Sequence, residues 1–261
     1  MRLKNRVAVI TGGASGIGFA AAERFGVEGA VVVLADISQA NIDRAADALA
    51  AKGITAHGQI CDVTDQAQTR EMARAVAAKL GRIDILVNNA GISRYRPFAE
   101  ATSADWDAVL GVDLKGVFFC AQAVAPQMRA QQYGRIVNIS SALGTGAAPH
   151  GTAGSPGGSA AYAAAKAGVI MLTKTLARKL GPDGVTVNCV APGTFLTPIS
   201  ASSRTPEQVQ EHLEHRKKTV VLGRIGTLEE LANTILFFAS DESSYVTGHT
   251  LHVDGGRSDR M

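Results

Sequence analysis

Two short segments of the chain carry the residue types that chemistry needs. In Tyr162-Ala-Ala-Ala-Lys166 a phenol and an ammonium stand one helical turn apart, so a helix would put both on one face. A phenol beside a fixed positive charge surrenders its proton more readily than its unperturbed value of about 10 would allow. Upstream, Thr11-Gly12-Gly13-Ala14-Ser15-Gly16-Ile17-Gly18 sets Gly12, Gly16 and Gly18 between an apolar run and an amphipathic one. A turn this sharp needs residues without Cβ, and it lets a pyrophosphate approach backbone N–H groups at a helix start. Asp36 ends the next apolar run. Its carboxylate suits the hydroxyls of an adenosine ribose and would repel a 2′-phosphate; no Arg or Lys stands at 13–15 or 37–38 to offset that repulsion. Phosphate cradle, ribose acceptor and phenol–ammonium pair together point to hydride transfer with NAD as cofactor.

Holding such groups together is the task of the surrounding elements. Short apolar runs alternate with longer amphipathic ones, the pattern of a parallel sheet wrapped by helices. Strands are expected over Val7–Thr11, Val31–Ala35, Ile54–Ile60, Asp84–Val87, Arg135–Ile139, Thr186–Val190 and Thr250–Val253. Helices are expected over Ile17–Glu28, Asn41–Lys52, Gln66–Leu80, Ser103–Gln131 with a break near Gly111–Asp113, Ala160–Leu180, Glu207–Lys218 and Leu228–Ala239. The fold class is therefore α/β, a doubly wound parallel sheet of Rossmann type, as a single domain over residues 1–261. Two segments interrupt the alternation. Residues 144–159 are rich in Gly, Ala, Ser and Pro and read as a mobile loop; residues 195–223 are polar and read as a substrate lid. Both follow carboxyl ends of strands, where ligands bind in open α/β sheets.

Composition excludes several classes. A hydrophobic content of 46% with 19% charged residues supports a substantial core in a chain of 261 residues. The net charge of +3, with no basic run interleaved with aromatics, gives no reason to expect nucleic acid. Cys61, Cys120 and Cys189 are widely spaced and odd in number, so they read as reduced core thiols, not as a disulfide framework or a metal set. Val7–Ile10 is too short for a signal-peptide core, and no apolar run approaches the roughly 20 residues that span a bilayer. The expectation is a cytoplasmic protein with no membrane partner and no metal.

The order of these pieces resembles the short-chain dehydrogenase/reductase family in its short single-domain form, from Thr11 to Gly256. The family's T-G-x-x-x-G-x-G is Thr11–Gly18, its adenine-side Asp-Val pair is Asp62-Val63, and its N-N-A-G turn is Asn88–Gly91. Its catalytic Ser falls on Ser141, its Tyr and Lys on Tyr162 and Lys166, and its P-G-x-x-x-T on Pro192–Thr197; Asp254-Gly255-Gly256 also fits. The resemblance implies that the dinucleotide is held by Gly12, Ser15, Gly16, Ile17 and Gly18, and by Asp36 and Ile37 at the second strand end. Further contacts are implied for Asp62 and Val63, for Asn89, Ala90 and Gly91, for Tyr162 and Lys166, and for Pro192, Gly193, Phe195 and Thr197 on the nicotinamide side. It also implies a homo-oligomer, tetramer or dimer, through the helices that precede the fifth and sixth strands.

The implied chemistry interconverts a secondary alcohol and a ketone. Tyr162 acts as acid and base, Lys166 supports it and holds the nicotinamide ribose, and Ser141 hydrogen-bonds the substrate oxygen. Two departures from the family pattern stand out. Where the family has a catalytic Asn, this chain reads Val112-Asp113-Leu114-Lys115-Gly116. In the family that residue's backbone carbonyl holds a relay water, so Asp113 is expected to alter the relay without abolishing it. Ser141 and Tyr162 are also further apart than the family's usual separation. For the substrate, Arg94 and Arg96 after the N-N-A-G turn, and Arg204, His212, His215, Arg216, Lys217 and Lys218 across the cleft, are candidates to bind an anion, Arg94 first, beside Ser141 and Tyr162. Alternatives are a 3-oxoacyl thioester reductase of the acyl-carrier-protein type, which commonly uses NADPH, and a non-catalytic dinucleotide sensor or scaffold, which would predict a damaged Ser/Tyr/Lys set. A nucleotide-sugar epimerase would want a different glycine spacing and a C-terminal substrate domain.

Overall fold

Val7–Thr11 forms β1, buried along its whole length, and the glycine turn delivers the chain into α1 (Gly16–Val27). There follow β2 (Val31–Asp36), α2 (Gln39–Ala50), β3 (Ala56–Ile60), α3 (Gln66–Leu80) and β4 (Ile85–Asn88). After β4 come α4 (Ser103–Leu110), a π-helical segment (Gly111–Gly116) and α5 (Val117–Gln131), which leads to β5 (Gly134–Ile139). The chain closes with α6 (Ala160–Leu180), β6 (Val185–Pro192), α7 (Pro206–Lys218), α8 (Leu228–Ala239) and β7 (Thr250–Val253). This is a computed structural model in which residues 1–94, 98–146, 160–197 and 205–257 are described. The loop expected at 144–159 lies almost wholly outside the described residues, as do Arg96 and Arg204.

The seven strands form one sheet in the order β3-β2-β1-β4-β5-β6-β7. Each neighbouring pair is parallel. The order reverses between β1 and β4, which opens a crevice at their carboxyl ends, the ligand position of such sheets. Helices bury apolar faces on both sides. Phe25, Ile10, Leu34 and Phe238 belong to one core; Met72, Leu86, Val124 and Met128 belong to the other. Complete burial of a side chain such as Phe25 or Phe238 contributes about 1.5–3 kcal/mol, so both apolar layers stabilise the sheet whose carboxyl ends carry the crevice.

Two expectations are corrected. The break near Gly111–Asp113 is absent: α4, the π segment and α5 form one continuous run, Ser103–Gln131. A π turn adds a residue between successive hydrogen bonds, so it reorients side chains without ending the helix. By length and composition this run could cross a membrane, contrary to the sequence expectation, yet Val117, Cys120, Ala121, Val124 and Met128 are buried against the sheet. Smaller shifts occur at strand ends: β6 continues to Pro192, which pairs with Val253, and β3 begins at Ala56.

Candidate active site

The glycine turn and the turn after β4 are tied together by hydrogen bonds. Thr11 Oγ1 accepts from the backbone N–H groups of Asn89 at 3.0 Å and Ala90 at 3.1 Å. In return Asn89 Nδ2 donates to the carbonyls of Thr11 at 3.0 Å and Gly12 at 3.1 Å. The turn itself needs glycine: Gly12 and Gly16 have φ of 60° and 53°, and a Cβ on Gly18 would collide with the Gly12 carbonyl oxygen. Ser15, the N-cap of α1, makes no side-chain capping bond, and the first turn carries no acid. The helix's leading N–H groups therefore stay available to an anion.

The side of the crevice that carries Ser141, Tyr162 and Lys166 is built by β5 and α6. Asn88 Nδ2 donates to Asn138 Oδ1 at 2.9 Å, and Asn138 Nδ2 to Thr173 Oγ1 at 2.9 Å, a buried polar chain that links β4, β5 and α6. Ser140 Oγ donates to the Lys166 carbonyl at 2.7 Å, and Lys166 Nζ donates to the Ile139 carbonyl at 3.1 Å. The start of α6 is thus locked to the end of β5. Ser141 Oγ accepts from Leu143 N–H at 3.1 Å, so it caps a short turn while it lines the crevice. The Tyr162 ring packs on Val109, Ala161 and Ala165, with Lys166 Nζ 5.5 Å from its centroid.

Asp113 faces inward from the π segment. Its Oδ1 lies 2.9 Å from Lys166 Nζ in a buried ion pair, and its Oδ2 accepts from Ile92 N–H at 2.9 Å. Burial, the largest single influence, pushes the Lys166 ammonium down, but the Asp113 carboxylate first, then Tyr162 and Cys189, act the other way, and together they leave the group above its ordinary value. The sequence placed the interest of Asp113 in its backbone carbonyl; the structure engages its side chain.

These parts line one cavity of about 470 Å³. It brings together Gly12, Ser15, Gly16, Ile17, Asp36, Ile37, Asp62, Val63, Asn89, Ala90, Gly91, Asp113, Ser141, Tyr162, Lys166, Pro192, Gly193, Phe195 and Thr197. Gly18 lies behind the wall as a packing glycine. Asp62 Oδ1 accepts from both Thr64 N–H and Thr64 Oγ1 at 2.8 Å, which fixes the turn after β3. Gly193 abuts Asp254, where a Cβ would come within 2.6 Å, and its N–H donates to the Val253 carbonyl at 2.8 Å. The cradle, the uncapped helix and the carboxylate at the end of β2 fit a dinucleotide.

Arg94 does not line the cavity. Its side chain is 55% exposed, and its guanidinium lies 3.6 Å from the Asp105 carboxylate. Arg216, on α7, is buried and does line it. Sequence periodicity gave no signal for that choice, since Arg216 sits in a run of cations on one polar helix. Cys61 also lines the cavity without having been singled out, and burial pushes its thiol up to about 11, the mark of an inert protonated group.

A family model described as enoyl-(acyl carrier protein) reductase matches residues 12–258. The (2S)-[(R)-hydroxy(phenyl)methyl]succinyl-CoA dehydrogenase subunit BbsD of Thauera aromatica is 43% identical over 258 residues, 99% of this chain and 98% of that protein. The 3-oxoacyl-[acyl-carrier-protein] reductase of Thermotoga maritima is 46% identical over 259 residues, 98% of this chain and 99% of that protein. Among solved structures, a gluconate 5-dehydrogenase from Burkholderia cenocepacia J2315, in complex with NADP and tartrate, superposes with a TM-score of 0.90 at 36% identity, covering 100% of this chain and 97% of that one.

Proposed function

Because this chain belongs to the short-chain dehydrogenase/reductase family, we propose that it is an NAD-dependent oxidoreductase that interconverts a secondary alcohol and a ketone on a small molecule. The observation that carries this reading is the convergence of Ser141, Tyr162 and Lys166 on the cavity that the glycine turn also lines. A bound nicotinamide would supply the hydride acceptor or donor. In alcohol oxidation the Tyr162 oxygen takes the hydroxyl proton, and in ketone reduction it returns it. Ser141 Oγ hydrogen-bonds the substrate oxygen as charge shifts on it. Lys166 keeps a positive charge beside Tyr162 and, as a residue of the cavity wall, would be the one to hold a nicotinamide ribose. One related structure holds NADP, so the choice of NAD rests on Asp36. The test is a substrate panel of secondary alcohols, sugars, hydroxy acids and hydroxyacyl thioesters, followed by NADH absorbance. Turnover of none of them would overturn the reading.

A second reading, a 3-hydroxyacyl or 3-oxoacyl thioester as substrate, is favoured by the names of the two relatives, one a CoA-thioester dehydrogenase and one an acyl-carrier-protein reductase. Arg216 gives it a handle, as a buried guanidinium in the cavity wall can fork onto a carboxylate or phosphate. Arg216→Ala should raise KM for an anionic thioester by about tenfold, about 1.4 kcal/mol, and leave a neutral alcohol of similar size unaffected. Equal effects on both substrates would remove Arg216 from substrate recognition. Arg94→Ala, by contrast, should change neither KM.

We also propose a homo-oligomer. Phe118 on α5 and Met171 on α6 are exposed apolar side chains on the two helices expected to make the contact. Light scattering should return a dimer or tetramer mass, and a monomer at all concentrations would refute it.

A further inference from the structure

Two opposite charges lie deep in this crevice, and one of them departs from the family pattern. The side chains of Asp113 and Lys166 are 0% and 5% exposed. A lone buried carboxylate is costly, and so is a lone buried ammonium; each is tolerable when paired. The fold makes room for the pair at Gly91, where a Cβ would come within 2.8 Å of Asp113 Oδ1 and 3.6 Å of Lys166 Nζ. The π segment supplies the reorientation that turns Asp113 inward, and Ile92 N–H fixes its second oxygen.

We infer that the Asp113 carboxylate is a positioning residue, which pins the Lys166 ammonium beside Tyr162 and keeps it protonated, so that it sets the alkaline limit of activity. Three donors leave an ammonium. One is spent on the Ile139 carbonyl, and the charge lies against Asp113. The other groups that face it are Tyr162 from α6 itself and Cys189 from β6, whose thiol burial pushes up to about 11. Asp113 is the carboxylate among these groups and the largest of the influences that oppose the desolvation of Lys166. An Asn in its place could still accept from Ile92 N–H but would bring no charge. Buried Lys166 would then lose its proton at lower pH, and with it the charge that supports Tyr162.

The inference rests on the oxidoreductase reading only in its activity arm, so the first test uses the ligand-free protein. Thermal unfolding of the parent, Asp113→Asn, Lys166→Met and the double variant forms a double-mutant cycle. Asp113→Asn should lower Tm markedly in the parent and clearly less in the Lys166→Met background, where no buried ammonium is left behind. Equal drops in both backgrounds overturn the pairing. If Asp113→Asn alone does not fold, folding of the double variant supports the inference and its failure to fold overturns it. The second arm follows the pH dependence of kcat/KM and of NADH binding by fluorescence. The alkaline limb of both should move to lower pH by about one unit or more in Asp113→Asn, with Asp113→Glu nearer the parent. An unmoved limb, in a variant whose cycle shows coupling, overturns the alkaline role. Absence of turnover by the parent on any substrate, with the cycle coupled and the binding limb displaced, would count against the proposed reaction and leave the pair standing.

Discussion

Tyr162→Phe is expected to lower kcat by about 10³-fold, roughly 4 kcal/mol of transition-state stabilisation, while NADH still binds. The substitution removes one oxygen and keeps the ring that packs on Val109, Ala161 and Ala165, so the fold has no reason to change. The glycine turn, the uncapped α1 N-terminus and Asp36 belong to other elements and are left unchanged by the substitution. Loss should therefore fall on the proton step alone. Ser141→Ala gives a useful contrast, because its Oγ also caps Leu143 N–H and part of its effect should appear as lowered stability. Near-normal kcat in Tyr162→Phe would mean that another group handles the proton.

Why was so much of this legible in the residues? The glycine turn is dictated by backbone sterics: Gly12 and Gly16 adopt positive φ, and the space at Gly18 is closed by Gly12 itself. Such constraints are local and leave a local signature. The central strands β1, β2 and β4 were legible for a similar reason, since strands buried on both faces read as nearly unbroken apolar runs, whereas the edge strands β3 and β7 are partly exposed and carry polar residues. Asp113 was different. Its residue type could be read, but its side chain sits on a π turn and meets Gly91 and Lys166, neighbours far from it along the chain. The expected helix break at Gly111 was a reasonable local inference that tertiary packing overrode. Arg94 and Arg216 show the same limit: both are arginines in polar segments, and only the placement of α4 and α7 sends one to Asp105 and the other to the cavity wall.

Cofactor choice should turn on a single carboxylate. Asp36 closes β2 at the cavity wall, and its Oδ1 accepts from Ser38 N–H at 3.2 Å, which holds the side chain in place at the start of α2. The ribose hydroxyls of NAD are matched to such an acceptor, whereas a 2′-phosphate would meet like charge. The unmodified protein should therefore favour NAD over NADP by about 100-fold or more in kcat/KM, on the order of 3 kcal/mol. Ile37 offers the means of reversal, as it also lines the cavity and is 69% exposed, so a long cation can replace it without disturbing the core. Asp36→Ala with Ile37→Arg removes the repulsion and adds a guanidinium suited to phosphate. Steady-state kinetics with both dinucleotides should then show the preference narrowed or inverted. The loss of the Ser38 contact should cost some stability in the Asp36→Ala single variant, a change that thermal unfolding separates from selectivity. Equal turnover with NAD and NADP in the unmodified protein would show that Asp36 does not select the cofactor.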